Sequence, residues 1–175
     1  REFGDRKRFL LMFVDSMVSD LLVNETVVEP IERALRRGEV PRDMQELSSR
    51  IIEANDLKIT GKFAEILDSM LYGDTLLIMD GSDDALIISS KGWKNRGVSA
   101  SENEKALLGP QEAFAEAFMI NLSLIRRKLR TPDLKFSLKK IGRVSRTDVA
   151  VCYMAKLVDP EILQELERRL EQIDS

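Results

Sequence analysis

The chain reads as an α/β protein built from two small subdomains, and three features of its 175 residues carry that reading. Up to Leu71, short apolar runs of strand length alternate with stretches of helical periodicity, the grammar of strands joined by helices. After Tyr72-Gly73-Asp74 the grammar changes to pairs of strand-length runs joined by turn residues, the signal of hairpins. Between those hairpins, Pro110 to Leu129 carries the punctuation of one long helix. The expected organisation is therefore an N-terminal subdomain, residues 1–73, with a short parallel sheet, and a C-terminal subdomain, residues 74–175. The second would have antiparallel hairpins packed on the long helix.

Arg6-Lys7-Arg8 leads into Phe9 to Val14, an apolar run ending at Asp15 that suits a buried strand. Asn24 can cap a helix through about Arg36 with Val27, Val28, Ile31, Ala34 and Leu35 on its apolar side, although Pro30 argues for a break or a late start. Gly38 and Pro41 separate it from a helix over about Arg42 to Ala54. Leu57 to Thr60 reads as a second strand, and two strands joined by helices imply a right-handed parallel crossover. Phe63, Ile66, Leu67 and Met70 fall at the i, i+3, i+4, i+7 spacing of a third helix, Lys62 to Leu71.

Thr75 to Met79 and Ala85 to Ser89 form a hairpin around Asp80-Gly81-Ser82-Asp83-Asp84. The three aspartates there resemble part of a calcium loop, but the other ligand positions and a closing Glu are missing, so a solvated turn is expected. Lys91 to Asn103 is polar and loop-like. In the long helix that follows, Gly109 can serve as N-cap and Pro110 suits the first helical position. Glu112 and Glu116 lie at its positive end, Arg126, Arg127, Lys128 and Arg130 at its negative end, and Thr131-Pro132 stops it. Phe114, Phe118, Leu122, Ile125 and Leu129 form its stripe, with Ala113, Ala117 and Met119 widening it. Asn121 falls on that stripe, where a satisfied core amide is expected. Leu134 to Ile141 and Asp148 to Met154 make the second hairpin, and Pro160 begins a last amphipathic helix.

Composition narrows the function classes. With 43% hydrophobic and 33% charged residues the chain is globular rather than disordered. The single cysteine, Cys152, cannot form an internal disulfide, which fits a reducing compartment, and it reads as a small buried hydrophobe on a strand. No apolar run approaches the ~20 residues that span a bilayer, and the chain begins on Arg and not Met, as either an excerpt of a longer protein or a chain with foreign residues added at its start would. There is no histidine, which removes the commonest general base and the commonest metal ligand together. No phosphate-cradling glycine motif is present, and Glu112 with Glu116 reads as a dipole-compatible surface rather than an acid and base pair. A non-enzymatic protein without a cofactor is expected.

From Arg126 to Arg146, nine basic residues against Asp133 give a net charge of +8, so with −3 overall the remaining residues carry −11. Such a segment can hold an anionic membrane surface or nucleic acid, or pair with the acidic surplus elsewhere. Nucleic acid is disfavoured because exposed aromatics are not interleaved and the chain is acidic, with a pI near 5.3.

Arg96-Gly97-Val98-Ser99, Glu104, Leu108-Gly109-Pro110-Gln111-Glu112-Ala113-Phe114, Glu116 and Asn121-Leu122-Ser123-Leu124-Ile125-Arg126-Arg127 together resemble the signature of the GerA family, the A subunits of bacterial spore germinant receptors. The chain departs from that pattern at Gln111 and Ala113, where the family usually has Arg and Gly. The resemblance implies a cytoplasmic N-terminal domain at the spore inner membrane, on the core-facing side, in a chain that continues into membrane-spanning helices. It implies B and C subunits as partners, a role in assembly and signal transmission, and room for a small-molecule ligand between the subdomains and for a homo-oligomer formed through the full-length chain. It marks Arg96, Glu104, Gly109, Pro110, Glu112, Phe114, Glu116, Asn121, Arg126 and Arg127 as motif positions of interaction or structure. The competing reading is a soluble ligand-binding or RNA-binding module with no membrane partner, separated from the first by whether the parent chain continues past Ser175 into several apolar spans.

Overall fold

A computed structural model describes residues 2–3, 7–92, 114 and 116–174. The chain divides into two compact units, Arg1–Arg127 and Lys128–Ser175.

Among the described residues, the first unit is organised by β4 (Thr75–Met79) and β5 (Ala85–Ile88), an antiparallel hairpin with hardly a polar side chain. Strands this apolar on both faces must lie inside a sheet and be covered on both sides. Here β2 (Lys7–Met12) pairs with β4, and β3 (Leu57–Thr60) pairs with β5. With the short β1 (Glu2–Phe3) beside β2, the order is β1-β2-β4-β5-β3 and every pair is antiparallel. On one face Phe9, Leu77, Met79, Leu86 and Ile88 pack with Val27, Ile31, Ala34, Met44, Leu47 and Ile51 from the helices. On the other, Leu76, Ala85 and Ile87 pack with Ile66 of α4 (Phe63–Leu71).

Two expectations are corrected by this sheet, while the mixed α/β class stands. The short parallel sheet does not form, because the doubly buried β4–β5 hairpin takes the centre and sends the two amphipathic strands to either side of it. The alternation of Leu57, Lys58, Ile59 and Thr60, partly buried and polar in turn, is the mark of such a strand. A boundary at residue 73 fails for the same reason, since β4 pairs with β2 across it. What reads as a change of grammar is a helix ending: Asp74 N–H bonds Ser69 O, Gly73 N–H bonds Met70 O, and Gly73 takes a φ of 99°. These are the paired bonds and left-handed residue that close a helix before a strand.

The helical run after β2 begins earlier than Asn24. Ser19 caps it, accepting from Leu22 N–H, and α1 (Asp20–Val23) passes into a π-helical turn, Asn24–Val28, and then α2 (Glu29–Arg36). Pro30 therefore sits inside a continuous run. The ladder just before it is in i→i+5 register, with Glu29 N–H on Asn24 O. A second run, α3 (Met44–Glu46) followed by a π turn over Leu47–Ile51, is capped by Asp43, and Glu46 reaches back to the N–H of Arg42. That backbone bond, with help from Arg50, holds the Glu46 carboxyl below its ordinary range.

At the β3 edge, Glu65 of α4 accepts from Lys58, Thr60 and Lys62, with Lys58 Nζ 2.8 Å away. These bonds hold its carboxyl down at about 2, so the clasp stays charged through most of the acid range. The expected turn between β4 and β5 is a turn, with Ser82 bonded to the Asp84 backbone.

The signature helix is shorter than expected. α5 covers Phe118–Lys128, while Phe114, 69% exposed, and the exposed Glu116 lie outside it. Positions 110–113 lie outside the described residues. Alanine-rich sequence favours a helix only weakly; packing of an apolar face supplies most of the stability, and Phe114 has little. Within α5, the consecutive Leu122, Ser123 and Leu124 are all buried, so this helix is covered on more than one side.

The second unit holds β6 (Leu134–Ile141) and β7 (Thr147–Met154), paired from Leu134↔Met154 to Ile141↔Thr147, and α6 (Pro160–Glu171). Asp159 caps α6, accepting from Glu161 and Ile162, and Pro160 opens it. α6 is tied to β6 through Ser137 to Glu167 at 2.9 Å and Lys139 to Glu171 at 2.8 Å. Cys152, expected to be buried, is exposed: its strand belongs to a two-stranded sheet, which leaves much more side chain open than a central strand would.

Candidate functional site

Of the ten motif positions, Arg96, Glu104, Gly109, Pro110 and Glu112 lie outside the described residues. Phe114 and Glu116 precede α5, and Asn121, Arg126 and Arg127 lie on it. Arg126, five residues on from Asn121, is turned by about 140° around the axis, so the amide and that guanidinium serve different faces. All three of Asn121, Arg126 and Arg127 are partly buried, and each has a polar or charged interaction. The two arginines are thus held in place rather than fully solvated.

The basic segment is partly neutralised within the second unit. Lys139 lies 2.8 Å from Glu171 and 3.8 Å from Glu167, Lys140 lies 2.8 Å from Asp148, and Arg143 lies 3.7 Å from Asp174. Bonding to Glu171 raises the Lys139 ammonium above its ordinary value and lowers the Glu171 carboxyl in return. Pairing with acidic residues of the same unit therefore accounts for at least Lys139, Lys140 and Arg143 of the segment's cations.

Sequence reasoning missed two places in the first unit. One is a polar knot at the end of β5. Lys91 bonds Asp74 and lies 3.2 Å from Ser89 Oγ, and its ammonium stands 4.8 Å from the Tyr72 ring centroid. Beside it the hydroxyls of Thr75 and Ser90, both fully buried, are 2.6 Å apart. The knot fastens the strand end to the loop before α1: Val18 bridges Lys91, Gly92 N–H bonds Met17 O, and Ser19 N–H bonds Ser90 O. A Cβ on Gly92 would lie 2.3 Å from Val18 O, so only glycine allows this approach.

The other is a groove of about 350 Å³ between the sheet and the Asp20–Arg36 helical run. Phe9, Leu11, Phe13 and Leu77 line it from the strand side, and Val23, Val27, Val28 and Ile31 from the helical side. Asp20 and Asn24 are its polar lining residues, and Asn24 donates its side-chain amide to Glu29 Oε1 at 3.1 Å. The sequence signal that could have located it was Pro30 within an otherwise helical pattern, which marks the π turn bordering the groove.

Fold and geometry define a class first: a mixed α/β domain with antiparallel sheets, whose described helices include none long and apolar enough to cross a membrane. The family model described as Bacillus/Clostridium GerA spore germination protein matches residues 1–175, and the chain belongs to that family. Spore germination protein KA of Bacillus subtilis is 25% identical over 172 residues, 97% of this chain and 31% of the relative. Spore germination protein GerLA of Bacillus cereus is 32% identical over 152 residues, 85% of this chain and 31% of the relative. The chain thus spans about a third of the length of these relatives. The crystal structure of the N-terminal domain of the A subunit of the Bacillus megaterium spore germinant receptor GerK3 shares the fold, with a TM-score of 0.72 at 23% identity over 97% of this chain and 60% of that one.

Proposed function

We propose that this chain is the extra-membrane N-terminal part of a nutrient germinant receptor A subunit, working without catalysis in receptor assembly and signal transmission. Its partners are B and C subunits, and its place is the core-facing side of the spore inner membrane. The observation that carries the reading is the family match along all 175 residues. The named GerK3 domain, an A-subunit N-terminal domain of the same fold, supports it. A small-molecule role belongs to the same reading.

The basic end of α5 offers the test. Arg126 and Arg127 are partly buried and engaged, so Arg126→Ala or Arg127→Ala should each lower the stability of the chain by about 1 kcal/mol in urea melts, too little to unfold it. In spores whose full-length A subunit carries both changes, nutrient germination should nevertheless fall well below wild type. Normal germination with the double change would reduce this end of the helix to a structural role and count against its part in assembly.

A further inference from the structure

We propose that the open face and tip of the β6–β7 hairpin dock on the anionic headgroups of a lipid surface. The second unit is electrically two-sided. Residues 128–158 hold eight cations against Asp133 and Asp148, a net +6, while residues 159–174 hold six carboxylates against Arg168 and Arg169, a net −4. The acidic part is α6 and its flanks, and α6 is tied to one face of the two-stranded sheet. Ser137 and Lys139 point to that face, bonding Glu167 and Glu171, so the alternate residues Leu138 and Lys140 point away from α6. Leu138 is 56% exposed there. Beyond it the turn presents Arg143, Val144 and Arg146, all exposed, and Val144 has the largest exposed fraction of the chain's described large apolar residues.

Few carboxylates reach this surface, and those that do are solvated. Asp148 pairs with Lys140 and Asp174 lies 3.7 Å from Arg143, but all four side chains are more than half exposed, and such pairs contribute little in water. Arg146 is in no ion pair among the described residues. Aliphatic side chains set singly among cations suit a headgroup layer. Leu138, Val144 and the arginine stems can enter its apolar edge while the charged ends stay with the phosphates. An anionic leaflet attracts each cation near it, within a screening length of about 8 Å at physiological salt. Two separate aliphatic residues do not make the packed apolar centre of a protein interface, and residues 138–148 contain no aromatic side chain on which a base could stack. The inference rests on the membrane-side placement proposed above and names the surface that faces the lipid.

The 175-residue chain would be sedimented with vesicles of equal parts phosphatidylglycerol and phosphatidylcholine, and with vesicles of phosphatidylcholine alone. Binding is expected on the anionic vesicles, falling as salt rises, and not on the neutral ones. Arg143→Gln with Arg146→Gln should weaken it about tenfold, and Val144→Ala about threefold. Replacing both arginines by Lys should retain most of the binding, because the headgroups read charge at this surface. Arg36→Gln with Arg50→Gln removes as many exposed cations from the first unit and should change binding less than twofold. The proposal is overturned if the anionic vesicles recover no protein, if neutral vesicles recover as much, or if the two Gln pairs weaken binding equally. Single-stranded RNA that binds through Arg143 and Arg146 more tightly than the vesicles do would give the surface to nucleic acid and overturn it as well. The vesicles carry no receptor subunit, so failure here leaves the receptor reading standing, and a parent protein purified without B and C subunits would leave this result standing.

Discussion

Leu86→Ala is expected to destabilise the chain by about 3–5 kcal/mol, a large share of the roughly 5–15 kcal/mol that holds a domain of this size. Leu86 is 0% exposed and sits in β5, with Leu77 opposite it on β4 and Ile59 opposite it on β3. It also packs in the same buried cluster as Met44, Leu47 and Ile51 from the second helical run. Truncation leaves a cavity walled by two strands and the helices above them, a place with little freedom to collapse. Leu86→Met, which keeps the volume, should cost less than about 1.5 kcal/mol. Val144→Ala, at a position 82% exposed, should stay within about 0.5 kcal/mol. Urea melts of the three variants check the order. A Leu86→Ala cost below that of Leu86→Met would show that β5 is not the centre of the core.

Asp74→Ala should come next, at about 3 kcal/mol, because it leaves the Lys91 ammonium, only 18% exposed, without its carboxylate. Ser89 and the Tyr72 ring remain beside it, but neither carries a compensating charge. The partner change separates charge from packing. When Lys91→Met is added to Asp74→Ala, no charge is left stranded, and most of the lost stability should return. Thermal melts of both variants decide between the two causes. If the double variant is no more stable than Asp74→Ala alone, the loss lies in packing around β4 and not in the uncompensated ammonium. The knot joins β4, β5 and the loop before α1, so a packing effect would also reach the start of the helical run.

Strand positions were legible because their signals are local. Leu57–Thr60, Thr75–Met79 and Leu134–Ile141 fall where alternation and turn residues put them, and α6 starts at the Asp159-Pro160 cap. Pairing was less legible because it is decided by burial competition. Nothing local in Phe9 to Met12 says that a hairpin 60 residues later will claim the place beside it, though the apolar character of both β4 and β5 already required the centre of a sheet. The start of α5 was misplaced because alanine and glutamate favour a helix that Phe114, exposed, does not anchor. The family signature was legible as spacing, while the groove was not. Its lining comes from β2, the π turn and β4, and only the fold brings Leu77 near Val27. Pro30 was the one local sign that the helical run is irregular there.

The receptor assignment is tested most directly by isolating the full-length parent protein, carrying an affinity tag, from detergent-solubilised spore inner membranes and identifying what comes with it. The expected result is recovery from the membrane fraction together with a B-type and a C-type receptor subunit, lost when residues 1–175 are deleted. Recovery from the soluble fraction, or from the membrane without either subunit, would contradict it.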